Sequence, residues 1–469
     1  MSVPAAVFRL TAAIAGCLSA LAGCASLPDA ERDRTVPRAQ QVEFEGTRGP
    51  VSVTRSDAIL VRLEGKNGAS DLLQRHLAYE QAINADSPLV LGNKLTLLQN
   101  GPATYSAMFT AIRAAKDHVN LETYIFDDDE AGQKFSDLLL ERQAAGVQVN
   151  VIYDGVGSLM TPSTFFDRLR AGGIQVLQFN PLNPLTGNKE AWLPNNRDHR
   201  RQLVIDGRIA FTGGINISDS YSSAPGKRAR KKRASAPDPT AGWRDTHIQI
   251  EGPVVAEFQK LFVQTWARQK GEPLAAKDYF PKLTTQGDEI VRAIGSTPAD
   301  PDSLIYLTLM SAISHAEREA HLTIAYFAPD PQLLKALTDA ARRDVEVQLL
   351  LPNRSDSWAI FQLGRSYYTE LLRGGVKIYE RHGAMMHAKT ACIDGVWSTI
   401  GSTNMDWRSF LHNDEINAVV LGRGFAAQME TMFDRDLAQS DAITLDQWKH
   451  RSWMLRFQEQ MARIGAYWL

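Results

Sequence analysis

Cysteine is scarce, with three in 469 residues: Cys17, Cys24 and Cys392. There is no Cys-x-x-Cys pair and no His/Cys cluster at zinc spacing, which argues against a structural zinc site. Charge of one sign is also lacking: 51 basic residues stand against 53 acidic ones, for a net charge of −2. Such a balance excludes a chain held on nucleic acid by its overall field, so no nucleic-acid partner is expected, although a local basic patch stays open. The apolar stretch Leu10 to Ala22 is too short to span a membrane comfortably. What is present is globular: 44% apolar and 22% charged residues, neither disordered nor collagen-like. The length suits two domains better than one core.

The N-terminus reads as an export signal. Arg9 precedes the apolar stretch, which ends in Leu21-Ala22-Gly23-Cys24. Small residues before a cysteine suit a peptidase that binds an extended chain. The tetrapeptide resembles the bacterial lipobox, which implies removal of residues 1–23 and an acylated Cys24 as the new N-terminus. Cys392 would then be alone, with no intrachain disulfide available. Several acyl chains would hold the chain firmly, at about 0.8 kcal/mol per buried CH₂. The expected location is the cell envelope, as a membrane-anchored lipoprotein facing the periplasm. Ala25, rather than Asp, after the cysteine favours the outer membrane where the source has one. Ala25 to about Gly49, with Pro28, Pro37 and many charges, reads as a solvated tether.

The rest of the chain repeats itself. A helical face at Met108, Ile112 and Ala115 precedes the apolar run Val119–Phe126, a helix around Ser136–Ala145 and the strand Val147–Tyr153. Leu309, Ile313 and Ala316 likewise precede Leu322–Phe327, a helix near Gln332–Arg343 and the strand Val345–Leu351. Alternation of strand and helix predicts an α/β fold with largely parallel pairing. Two such units predict two similar domains in a pseudo-two-fold pair, with any shared site at their interface. The boundaries drawn are 1–24 for the signal, 25–90 for tether and extension, 91–285 for the first domain and 286–469 for the second.

Each unit carries one polar motif. The second has His387-Ala-Lys389 with Asp394, then Gly401-Ser402-Thr403-Asn404. The first has His199-Arg-Arg201 with Asp206, then Gly213-Gly214-Ile215-Asn216. The histidines stand 188 positions apart (387 − 199), as do the asparagines (404 − 216). In an extended segment alternate side chains share a face, so each histidine shares its face with a cation. Imidazole can attack phosphorus or move protons near neutral pH. The cation can hold phosphate oxygens as charge shifts, and Asn216 and Asn404 add amide donors. Asp245 and Glu415, each downstream of its motif, are positioned to orient the histidines. Asp206 and Asp394 belong to the motifs but precede Gly, and are expected to accept turn hydrogen bonds.

These paired motifs resemble the signature of the phospholipase D superfamily, and their flanks resemble its bacterial cardiolipin synthases. The similar flanks are Leu121–Asp128, Asp206–Gly214, Leu351–Asp356 and Gly401–Ser409, and the resemblance runs from about Leu91 to the C-terminus. It implies a phospholipid substrate, phosphatidylglycerol first, at a membrane surface, with no cofactor or metal. It also implies His199 as nucleophile and His387 as acid and base, an order that pseudo-symmetry leaves open. Alternatives are a phospholipase D using water, a phosphodiesterase acting on nucleic acid, and a non-catalytic lipid-binding lipoprotein. The first motif departs from the family in Arg201, where lysine is usual; Arg keeps the charge and can bind phosphate with two donors. His247 reads as a polar-face residue and His382 and His412 as loop histidines. The run Lys227–Arg233 reads as a solvated loop that can also meet anionic headgroups.

Overall fold

Helices crossing between strands force those strands parallel, and this happens twice. In the first half Glu130–Ala144 and Ser163–Ala171 link His118–Thr123, Gln148–Asp154 and Gln175–Phe179, which pair in parallel. In the second, Pro331–Arg342 and the pair Trp358–Ser366 and Tyr368–Arg373 link Glu319–Ile324, Glu346–Pro352 and Lys377–Arg381. Asp129 and Asp330 cap the first crossover helix of each half with side-chain oxygens. The computed structural model describes residues 26–30, 41–65, 70–183, 195–223, 242–300 and 302–464. Cys24 with its lipobox and the run Lys227–Arg233 lie outside the described residues.

Beyond each parallel trio the pairing reverses, contrary to the expectation of a largely parallel sheet. His118–Thr123 pairs antiparallel with Gln202–Ile205, and the ladder continues through Ile209–Gly213, Thr246–Glu251 and Leu89–Gln99. The second half repeats the order with Lys389–Ile393, Trp397–Gly401, Asn413–Leu421 and Glu289–Ser296. Leu89–Gln99 and Glu289–Ser296 pair antiparallel and join the halves. Within each motif the chain doubles back on a tight turn that joins two of these antiparallel strands. Asp206-Gly207 and Asp394-Gly395 hold positive φ at both positions, 50° and 59°, then 52° and 60°. That geometry matches strand twist and suits Asp-Gly.

The N-terminal segment corrects a second expectation. The solvated tether does not extend to Gly49, because Val42 and Phe44 are buried and Phe44–Gly46 pairs parallel with Leu89–Gln99. Helix Val53–Glu64 and residues 72–83 join the core of the second half, around the mostly apolar, charge-free helix Leu304–Ser314. His76 Nδ1 lies 3.1 Å from Ser311 Oγ, and Asn84 donates to Thr308 Oγ1 at 3.1 Å. A fully buried ion pair, Arg292 to Glu80 at 3.5 Å, ties the extension to strand Glu289–Ser296. No helix among the described residues is long and apolar enough to cross a membrane.

Candidate active site

The two histidines meet where the halves cross. His199 precedes strand Gln202–Ile205, and its backbone N–H donates to the carbonyl of Asp414 in the other half at 2.9 Å. His387 precedes strand Lys389–Ile393, and its N–H donates to the carbonyl of Arg244 at 2.7 Å. The side chains cross in the same way. His199 Nδ1 lies 2.8 Å from Glu415 Oε1, and His387 Nδ1 lies 2.7 Å from Asp245 Oδ2. Each histidine is therefore oriented by an acid from the opposite half, so neither half can assemble a complete histidine–acid pair alone. All four side chains are buried.

The cations differ. Arg201 donates to the His199 carbonyl at 2.6 Å, to His199 Nε2 at 2.8 Å and to Asn216 Oδ1 at 2.9 Å. A donor at Nε2 requires a lone pair there, so His199 carries its proton on Nδ1, facing Glu415. Lys389 donates to the His387 carbonyl at 2.6 Å and lies 2.9 and 3.1 Å from the two ring nitrogens. One atom that close to both nitrogens lies out of the ring plane, so the ammonium acts there through charge. Arg201 thus reproduces the lysine's carbonyl bond and adds a contact to Asn216. Lysine has no such reach, and Asn404 Oδ1 is left buried without a partner.

Electrostatically the two half-sites are unequal. Burial raises Glu415 to about 7, despite the hydroxyl of Ser402 and the charge of Arg201. Burial would raise Asp245 as well, but the bond and charge of His387, with Lys389, hold it below the usual carboxylate range. Local space works against the difference: Ser402 donates to Glu415 and lowers it, whereas the corresponding Gly214 leaves no room for a side chain, since a Cβ would sit 2.2 Å from Asp245 Oδ1. Burial and the charge of Lys389 lower His387 to about 4, against the pull of Asp245. Burial, then Arg201 and Lys389, put His199 well below the imidazole range. Burial lowers Lys389 to about 7, with Arg201 adding to the effect.

Two residues grouped with the site do something else. Asp206 accepts from the backbone N–H groups of Lys116, Asp117 and His118, and Asp394 from those of Glu317, Arg318 and Glu319. Six residues, seven steps of largely extended chain, separate each from its histidine, at most roughly 23 Å. They pin the hairpin turn to the start of the neighbouring strand and touch no reacting group, so they are structural, as their place before Gly suggested, and no part of a catalytic set. His247 is also corrected. It is wholly buried, with neither ring nitrogen bonded, and burial lowers it to about 3. The cause is that its strand is paired on both sides. His382 is a surface residue paired with Asp441 at 2.9 Å.

Other residues complete the site. Tyr221 and Trp243, from the first half, pack against the His387 ring at centroid distances of 5.8 and 5.0 Å. Tyr221 Oη also lies 3.2 Å from His387 Nδ1 and accepts from Asn216. Tyr124 packs edge-on against His199 at 5.0 Å, and Tyr326 against His387 at 5.7 Å. Behind them Arg244 and Arg381 share Asp436, and Arg200 donates to the Glu415 carbonyl. The asparagine register and the Ser402 motif were legible in sequence; the aromatics carried no motif signal. No group of three or more His, Cys, Asp or Glu among the described residues is arranged to hold a metal ion.

Residues 108–224 and 309–437 match the family described as "Cardiolipin synthase, PLD-like domain". The chain is 34% identical over 406 residues to a cardiolipin synthase of Halalkalibacterium halodurans, covering 86% of this chain and 77% of that one. It is 35% identical over 383 residues to cardiolipin synthase A of Pseudomonas putida, covering 80% and 75%. The fold is similar to that of the phosphatidylserine synthase of Haemophilus influenzae, with a TM-score of 0.58 at 12% identity over 83% of this chain and 97% of the other.

Proposed function

The chain belongs to the phospholipase D superfamily, as a cardiolipin synthase-like phosphatidyltransferase, and on that premise we propose that it joins two phosphatidylglycerol molecules into cardiolipin and glycerol. The observation that carries this is the pair of crossed histidine–acid contacts at one junction, each beside a cation. His199 Nε2 attacks the phosphorus of one phosphatidylglycerol. The bond to its glycerol headgroup breaks, and His387 protonates the departing oxygen. The terminal hydroxyl of a second phosphatidylglycerol then gives its proton to His387 and attacks the phosphatidyl-histidine, breaking the P–N bond. Arg201 and Lys389 hold the nonbridging oxygens.

The inequality of the acids supports this assignment of roles. A residue that cycles through imidazolium benefits from an ionised neighbour, and Asp245 is the more firmly ionised of the two. His387 is depressed mainly by burial and by Lys389. A bound phosphate offsets that cation and so brings its own proton to the acid.

The reaction is tested on purified protein with phosphatidylglycerol as sole lipid. Cardiolipin and free glycerol are expected in equal amounts, and activity is expected to survive chelation. Phosphatidic acid as the sole lipid product would replace the transferase reading with hydrolysis.

A pH dependence follows. Below about 7 Glu415 holds a proton and can donate to His199 Nδ1, moving the ring proton to Nε2 and removing the attacking lone pair. Above about 7 Lys389 loses its charge. A narrow bell in kcat/KM centred near neutrality is therefore expected. Lys389→Arg should flatten the alkaline limb, since guanidinium stays protonated. A profile flat from about pH 6 to 9 would contradict both assignments.

We also propose that the protein is an acylated envelope lipoprotein, on the strength of Leu21-Ala22-Gly23-Cys24. Mass spectrometry of the mature N-terminus should find a lipid-modified Cys24; an unmodified chain starting elsewhere would refute it.

A further inference from the structure

Helix Trp453–Ile464 turns an apolar face outward. Trp453, Met454, Leu455, Phe457, Met461 and Ile464 are exposed, from 36% at Leu455 to 77% at Ile464. Trp453, Phe457, Met461 and Ile464 recur at helical spacing, so they form a stripe rather than scattered surface residues. The opposite side is fixed. Ala462 packs with Leu363 and Ala328, Arg463 donates to the Ser366 carbonyl at 3.0 Å, and Glu459 pairs with Arg451 at 2.8 Å. Glu459 is the only acid in the helix and it is buried. The exposed charge on the helix itself, Arg456, is positive, while Lys449 just before it is matched by the exposed Asp446.

The stripe is linked to the site. Its helix packs on Trp358–Ser366, whose first residue, Trp358, is itself exposed. Two residues before it, Asp356 accepts from Tyr326 Oη at 2.7 Å, and the Tyr326 ring packs on His387. The first half does likewise. Leu159 and Met160 are exposed at the tip of a turn held by Ser158, which donates to the Tyr124 carbonyl, and Tyr124 packs on His199. Exposed apolar groups are thus tied to the aromatic partner of each histidine.

We propose that helix Trp453–Ile464, with Trp358 and the Leu159–Met160 tip, docks into the headgroup–acyl boundary of an anionic bilayer beside the site. Charge decides for this occupant: a Trp-containing apolar helix face with no exposed acid, whose own exposed charge is the cation Arg456, fits an anionic lipid surface. The inference rests on the reading that the substrates are bilayer lipids. It also gives the docked protein a second attachment besides any acyl anchor.

The test labels the full chain at Met461→Cys with an environment-sensitive fluorophore, with Asp434→Cys as control, and adds vesicles of phosphatidylglycerol and phosphatidylcholine. An apolar shift at position 461 and none at 434 is expected. The triple variant Trp453→Ser/Phe457→Ser/Met461→Ser should lose at least about tenfold in turnover on vesicles. Its turnover of short-chain phosphatidylglycerol below its micellar concentration should be unchanged. Aqueous emission at 461 on vesicles overturns the proposal, as does equal loss on both substrates. A shift without vesicles, with a parent dimer that the triple variant dissolves, also overturns it and assigns the face to a second copy. If the parent turned over neither substrate, the proposed reaction would fall while the label still decided the docking.

Discussion

Asp245→Asn should lower kcat by about 10²–10⁴-fold at neutral pH, the usual range for losing a positioned acid–base function. The amide keeps the shape of the acid but cannot stabilise imidazolium at His387, whose Nδ1 lies 2.7 Å from Asp245 Oδ2. Glu415→Gln should cost less below pH 7 than above it, because Glu415, at about 7, already holds a proton on the acid side. The pairing across halves makes the comparison sharp. Asp245→Asn, in the first half, should perturb the titration of His387 and leave His199 unaltered, and Glu415→Gln should do the reverse. NMR of labelled histidines reads this directly. Each acid acting on the histidine of its own half would overturn the crossed arrangement as the working one.

His199→Ala should bring turnover to the limit of detection, since the other imidazole at the site, His387, is committed to moving protons to and from the alcohols. His387→Ala should be comparably inactive on phosphatidylglycerol, whose leaving alkoxide needs a proton. It should regain activity on a phosphodiester with an acidic leaving group, which departs without one. Both variants must first give parent-like circular dichroism and thermal unfolding. The split between substrates, rather than the loss on the natural one, separates the two roles. Equal rescue of both variants by the activated substrate would mean that neither histidine is the nucleophile.

Much of this was legible in sequence because the chain says it twice. Apolar runs such as Val119–Phe126 and Leu322–Phe327 mark the parallel trio of each half, and a common offset of 188 brings both histidine motifs into one register. The direction of the remaining strands was missed because the turns expected at Asp206-Gly207 and Asp394-Gly395 were not carried through to the antiparallel hairpins that their two positive φ values make. The crossed acids were beyond reach for another reason. Asp245 and Glu415 each lie downstream of a motif, and a linear offset does not say which histidine a carboxylate will meet across an interface. Asp245 and Glu415 stand 170 positions apart (415 − 245) against 188 for the histidines, so the first half carries extra residues between Tyr221 and Trp243, and the repeat could not flag either. The extension was underestimated because helix Val53–Glu64 buries only Ser56, Ile59 and Leu63, too sparse a face to stand out. Arg201, the departure from the family's lysine, keeps the cation in place, and its fork reaches both His199 and Asn216.

The central claim is a phosphatidyl group carried on one histidine. Its most direct test is rapid quenching of the enzyme with an activated phosphodiester under mildly alkaline conditions, where N-phosphoryl bonds survive, followed by peptide mapping. The expected result is a phosphohistidine at His199 in the parent and in His387→Ala, and none in His199→Ala. An adduct at His387 instead would reverse the assigned roles. No adduct in any of the three proteins, together with full turnover by His199→Ala, would contradict the account.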